Sequence, residues 1–172
     1  MKFYALLPKK IRIYLLSYHR NTSGKIGMII RVSLVKSLAR KCGDGVFIFT
    51  GVYIMNIENL SLGNNISIHP MSYIDARGGV NIHNDVSIAH STTILSTTHN
   101  YSNLLIPIRN QGITMQETTI NNNVWIGAKV TILQGGIIES GCIIAANSVV
   151  TKSFAKNTIL GGTPARVLKE RY

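Results

Sequence analysis

Imidazoles are the groups of this chain best suited to chemistry near neutral pH, because a histidine can take a proton from a hydroxyl or, with others converging on it, hold a metal. Four of the five histidines, His69, His83, His90 and His99, lie in the middle of the chain. His99 has a setting of its own. It falls in the segment STTHNY, and the residues after it, Asn100 to Thr119, break the pattern that precedes it. Loops on a rigid scaffold carry binding and specificity, so this loop, with Tyr101, Arg109 and Glu117, is expected to shape the choice of substrate. Asp75 and Arg77, in IDARGG, add a carboxylate and a cation ahead of His99.

These side chains need a frame, and the frame is repetitive. From Leu62 an aliphatic residue returns at every sixth position through LGNNIS, IHPMSY, the expanded IDARGGVN, IHNDVS, IAHSTT and ILSTTH, ending at His99. The period resumes at Ile120 and runs through Ile126, Ile132, Ile138, Ile144 and Val150. An α-helix would show spacings of three and four, and a simple strand a spacing of two. A period of six, rich in Gly and Asn, is that of a triangular solenoid in which each hexapeptide makes one strand and one corner, about eighteen residues completing a coil. Upstream, Ile48, Ile54 and Leu60 keep the spacing in a register displaced by two.

The expectation is an all-β parallel β-helix of about five coils over residues 44–172, interrupted by an excursion loop at 100–119. Ahead of it, LLPKKIRIYLLSYHR and GKIGMIIRVSLVKSLARK mix aliphatics with cations, and Ile26, Ile30, Leu34 and Leu38 follow helical spacing. Residues 1–43 therefore read as two short helices parted near Asn21 to Gly24. They would cap the open end of the solenoid, as terminal elements of repeat folds must, or rest as a basic amphipathic surface on anionic membrane.

Composition narrows the partners. Eighteen Lys and Arg against seven Asp and Glu give a formal charge of +11, which attracts nucleotides, phosphates and acidic glycans. Few aromatics and no basic reading motif argue against nucleic acid. Cys42 and Cys142 lie far apart and form neither a disulfide framework nor a metal spacing. No apolar run approaches a membrane span, and Phe3 to Leu7 is cut short by Pro8, Lys9 and Lys10. The expected location is the cytoplasm, with the inner face of the membrane as an extension of the basic-helix reading.

The hexapeptide blocks, NNNVWIGAKVTIL, IIAANSVVTKS and the closing GGTPARV together resemble the hexapeptide-repeat acetyltransferases, especially the galactoside, maltose and polysaccharide O-acetyltransferases. The likeness covers residues 44 to 171. It implies a left-handed β-helix, a homotrimer with active sites between subunits, and acetyl-CoA as acyl donor to a carbohydrate hydroxyl, here that of a bacterial surface polysaccharide or its precursor. His99 matches the catalytic histidine that this family places ahead of its extruded loop. Ala128, Ala146, Thr151, Lys152, Arg166 and, less closely, Lys169 match positions along the pantetheine arm and the nucleotide phosphates. Asp75, Arg77, Tyr101 and Arg109 are the candidates for acceptor binding, and Tyr101 stands where some relatives carry a second histidine. Trp125, the only tryptophan, is expected to pack at a subunit contact.

Other functions use the same kind of frame. A serine or amino-sugar N-acetyltransferase would share the donor site, and a non-catalytic scaffold would leave His99 and its loop without a role. A γ-type carbonic anhydrase would need three converging imidazoles, whereas these histidines occupy different hexapeptide offsets. No metal site is expected.

Overall fold

The computed structural model describes residues 4–172; Met1 to Phe3, part of the expected amino-terminal segment, lie outside the described residues. From Lys41 onward the chain winds as a three-sided parallel β-helix, because aliphatic side chains spaced by six can all point inward only if the backbone turns a corner between them. The first face stacks Lys41–Cys42, Leu60–Leu62, Val80–Ile82, Thr118–Ile120 and Ile137–Ile138. The second stacks Phe47–Ile48, Ile66–Ile68, Val86–Ile88, Val124–Ile126, Ile143–Ile144 and Thr158–Gly162. The third stacks Tyr53–Met55, Tyr73–Asp75, Thr93–Leu95, Thr131–Ile132 and Val149–Val150. Five coils are complete, and a sixth ends on the second face.

The ladder registers align the repeat into columns. Ile48, Ile68, Ile88, Ile126, Ile144 and Leu160 stand one above another inside the second face. Ile74, Ile94, Ile132 and Val150 do the same on the third. All of these are buried, and burying each such side chain is worth about 1.5–3 kcal/mol. Early coils hold two residues more than later ones. The extra pair sits at the corner between third and first faces, where Ile57–Asn59 forms a single 3-10 turn, and this accounts for the displaced register read upstream. Buried hydroxyls are satisfied by corner carbonyls, as in Ser72 to His69 O at 2.9 Å and Ser148 to Ala145 O at 2.7 Å. The first-to-second corner places Asn65, Asp85, Asn123 and Asn157 at positive φ, a conformation these short polar side chains tolerate. Beside them an amide ladder links coil to coil, Asn64, Asn84 and Asn122 each accepting a backbone N–H from the coil before.

Two helices precede the coils, α1 at Lys9–Tyr18 and α2 at Gly24–Leu38. The buried stripe of α2 is Gly27, Arg31, Leu34, Val35 and Leu38, turned away from the Ile26, Ile30, Leu34, Leu38 stripe that aliphatic spacing alone suggests. The cause is Arg31. Its guanidinium, only 2% exposed, donates to Ile48 O at 3.0 Å, His19 O at 3.0 Å and Thr22 O at 2.7 Å, tying the helix pair to the first coil. Burial lowers its pKa from the ordinary arginine value. Gly27 is required where α2 passes the Thr22 carbonyl, since a Cβ there would collide with it. Among the described residues no helix is long and apolar enough to cross a membrane.

Candidate active site

The third-to-first corner is where the winding opens. Ser96 anchors the exit: its hydroxyl donates to Asp75 O at 2.6 Å and accepts from Gly78 N at 2.8 Å, while its carbonyl accepts from Gln116 N at 2.9 Å. Thr97–His99 then leaves the coil and pairs antiparallel with Ile113–Met115, His99 lying opposite Ile113. His99 is exposed, at the outer end of this hairpin.

The residues that hold it are polar. Thr97 donates its hydroxyl to Asp75 Oδ2 at 2.9 Å, and Asp75 Oδ1 accepts the Arg77 N–H at 3.1 Å. Asn100, next to His99, accepts the Thr114 hydroxyl at 2.7 Å and donates to Gln111 O at 3.1 Å. Gln111 closes the loop on itself, donating to Asn103 O and Ile106 O and accepting from Asn103 N. The loop is thus an ordered projection, and its tip exposes Leu104 and Leu105 almost completely, at 95% and 94%. Tyr101 and Arg109 lie on it and are exposed. Asp75 sits directly beneath the hairpin, and Arg77 is exposed at the same corner.

A second cluster forms on another corner. Ala128 and Ala146 occupy successive coils between the second and third faces, the Ala128 carbonyl accepting the Asn147 N–H at 2.9 Å. Among the described residues, neither alanine N–H donates to a backbone oxygen, so both are free for an extended ligand. Gly127 brings these coils together, for a Cβ on it would lie 2.6 Å from Ala146 N and 2.7 Å from Ile144 O. The final hairpin, Thr158–Gly162 with Ala165–Glu170, folds onto the same corner: Gly162 N donates to Ser148 Oγ at 3.2 Å and Thr163 Oγ1 to Asn147 O at 3.3 Å. Arg166, opposite Gly161 in that hairpin, stands on the outer strand, with Thr158–Gly162 between it and the coil that carries Ala146. Lys169, opposite Ile159, is farther along it. Thr151 and Lys152 are exposed at the third-to-first corner, two coils beyond the coil from which His99 departs.

Within one chain the structure brings together Ala128 and Ala146, with Arg166 one strand beyond, and separately His99 and Asp75, whose corner Thr151 and Lys152 share; a whole face lies between the two groups. The sequence reading named His99 and Asp75 and missed Ser96, Thr97, Asn100, Gln111 and Thr114, which set the hairpin's position. Ser96, Thr97 and Asn100 fall in the polar run STTHN, which reads equally well as one more repeat, and Gln111 and Thr114 lie in the loop with no signal of their own. The other histidines disperse: His83 lies at the first-to-second corner, His69 and His90 at the second-to-third, and His69 stacks on Phe49 with ring centroids 4.7 Å apart. Trp125 faces outward from the second face, 55% exposed.

Comparison with known proteins agrees with this architecture. Residues 117–152 match the family described as "Bacterial transferase hexapeptide (six repeats)". Over 165 residues, 96% of this chain and 80% of the relative, the sequence is 32% identical to the galactoside O-acetyltransferase of Escherichia coli (strain K12). It is 32% identical over 127 residues, 74% of the chain and 58% of that protein, to the "Putative lipopolysaccharide biosynthesis O-acetyl transferase WbbJ" of the same strain. Among solved structures, a galactoside acetyltransferase in complex with coenzyme A superposes with a TM-score of 0.83 at 31% identity, over 94% of this chain and 80% of that one. The coils match the left-handed β-helix of such acetyltransferases. A six-residue repeat with these inward columns, this hairpin and this likeness along nearly its whole length place the chain among the hexapeptide-repeat acetyltransferases, a family of acyl-transferring enzymes.

Proposed function

We propose that the chain transfers an acetyl group from acetyl-CoA to a sugar hydroxyl, that of a bacterial surface polysaccharide or its precursor, with His99 as general base. Acetyl-CoA is the acyl donor. The observation that carries the reading is the placement of His99: an exposed imidazole at the end of a strand that has left the coil, held by a hydrogen-bonded hairpin.

The chemistry follows from that placement. A sugar hydroxyl is a weak nucleophile, and an imidazole within hydrogen-bond reach removes its proton as the oxygen attacks the thioester carbonyl. The tetrahedral intermediate places negative charge on the former carbonyl oxygen, which a backbone N–H stabilises. Its collapse breaks the carbon–sulfur bond, and the imidazolium returns the proton to the departing thiolate. The products are the sugar acetyl ester and free CoA. The corner at Ala128 and Ala146 suits the extended pantetheine arm, since small side chains and free N–H groups leave room and donors along the coil. Arg166, with Thr151, Lys152 and Lys169 as further contacts, would meet the phosphates. The acceptor would approach along the third-to-first corner, past Asp75, Arg77 and the loop carrying Tyr101 and Arg109.

Because His99 and the Ala128–Ala146 corner lie on different edges of one prism, a complete site requires a second copy that brings its second-to-third corner against the loop of the first. We read the working form as a homotrimer. The exposed Leu104, Leu105 and Trp125 supply apolar surface of the kind subunit contacts use.

The test is thiol release from acetyl-CoA against a panel of sugars and polysaccharide precursors, products being identified by mass spectrometry. His99→Ala should lower turnover by about two to four orders of magnitude with CoA affinity little changed, whereas Arg166→Ala should weaken CoA binding. Full turnover in the His99 variant would remove it as the base.

A further inference from the structure

Charge in this molecule is segregated. Ten of the eighteen cations and none of the seven acids fall in residues 1–43, so the β-helix that follows, with eight cations and seven acids, is nearly neutral. Seven of those cations, and no acid, lie between Lys9 and Leu38, on the two helices and the turn that joins them. Two of these cations are neutralised by neighbours, Lys9 by Glu58 at 3.2 Å and Lys36 by Asp44 at 2.6 Å, and Arg31 is buried. Lys10 and Lys25 stand exposed.

Apolar side chains accompany them on the outward side. No described residue of α1 is buried, and Ile11, Tyr14 and Tyr18, spaced three and four apart, are 45%, 66% and 69% exposed. On α2, Ile26 and Ile29 lie opposite the buried stripe at 73% and 63% exposure. A core helix would not place isoleucines on its water-facing side, and a solvated helix would not carry an apolar stripe beside cations with no acid among them. We propose that the outer face of the α1–α2 pair docks peripherally on an anionic lipid bilayer, aliphatic and tyrosine side chains entering the interface while Lys10 and Lys25 meet the headgroups. The absence of any carboxylate in the segment makes the face complementary to anionic headgroups, and a second copy docking helix pair to helix pair would set two positive faces against each other.

The experiment is flotation of the full chain with vesicles of phosphatidylcholine alone or phosphatidylcholine mixed with phosphatidylglycerol. Binding is expected to the mixed vesicles only, and to fall as salt rises. Reversing Lys10 and Lys25 to Glu should reduce binding at least about tenfold, and Ile26→Ser with Ile29→Ser should reduce it at unchanged charge. Both variants should keep the parent's oligomeric state and its thiol release with a soluble acceptor, which separates lost docking from lost folding. Equal binding to neutral vesicles, unaltered binding by both variants, a change of oligomeric state on the isoleucine substitutions, or retention by a soluble polyanionic glycan in place of vesicles would each overturn the proposal.

Discussion

If Asp75 acts by positioning His99, its effect should pass through Thr97. The two are joined at 2.9 Å, hydroxyl to carboxylate, in a half-buried setting, and Thr97 lies two residues from His99 on the same strand. A hydrogen bond to a charged group contributes about 1.5–3 kcal/mol, and partial exposure reduces this to roughly 1–2 kcal/mol. The hairpin survives without it, since Thr97–His99 stays paired with Ile113–Met115, and the Thr118 hydroxyl still holds Leu95 O at 2.7 Å. What is lost is the tilt of the hairpin against the coil. If that energy is expressed in the transition state, kcat falls by roughly 5- to 30-fold at nearly constant KM for acetyl-CoA. The assay is a double-mutant cycle on thiol release with Asp75→Asn, Thr97→Val and the pair, Thr97→Ser serving as the rescue that restores the hydroxyl. The pair should be no worse than the poorer single variant. Additive losses, or a harmless Thr97→Val beside a damaging Asp75→Asn, would show that Asp75 works on the acceptor directly and refute the positioning argument.

Gly127→Ala should strain the fourth and fifth coils, since its Cβ meets only backbone, Ala146 N at 2.6 Å and Ile144 O at 2.7 Å. A loss of about 1–3 kcal/mol, seen as a lower Tm in thermal denaturation, should accompany weaker CoA binding by titration, the distortion falling on the Ala128–Ala146 corner. Arg31→Met should cost about 2–4 kcal/mol in chemical denaturation, because the carbonyls of Ile48, His19 and Thr22 lose a charged donor together. Limited proteolysis of that variant should cut near residues 19–23, where the helix pair would come free.

The faces of the prism were legible because each depends on one residue in six, and a column such as Ile120, Ile126, Ile132 and Ile138 leaves no other period to choose. The corners were less legible. Asn56 at positive φ and the 3-10 turn at Ile57–Asn59 appear in sequence only as a slip of two residues. The rotation of α2 was hidden for a different reason: aliphatic spacing assigns the inner face to Ile26 and Ile30, while a buried arginine with four backbone carbonyls overrules it. At the site, His99 could be singled out because the repeat stops there. Its supporting contacts, Thr97 to Asp75 and Asn100 to Thr114, join residues 22 and 14 positions apart, and no local pattern encodes a pairing that depends on how far one coil lies above the next.

Net charge shows why location matters more than sum. Taken over the whole chain, +11 suggests a surface that attracts polyanionic glycans. Resolved along the chain, ten of the cations and none of the acids fall in residues 1–43, seven of them between Lys9 and Leu38, and the coils carrying His99, Ala128 and Ala146 are almost neutral. Electrostatic attraction fades over about a Debye length, ~8 Å in physiological salt, so the charge of the helices acts chiefly on what lies against the first coil. At the far end, cofactor phosphates would depend on single cations such as Arg166 and Lys152. On the proposed reading the excess charge would bear on where the molecule sits more than on which hydroxyl is acetylated, and acceptor choice would fall to the shape of the loop and the polar groups at the third-to-first corner.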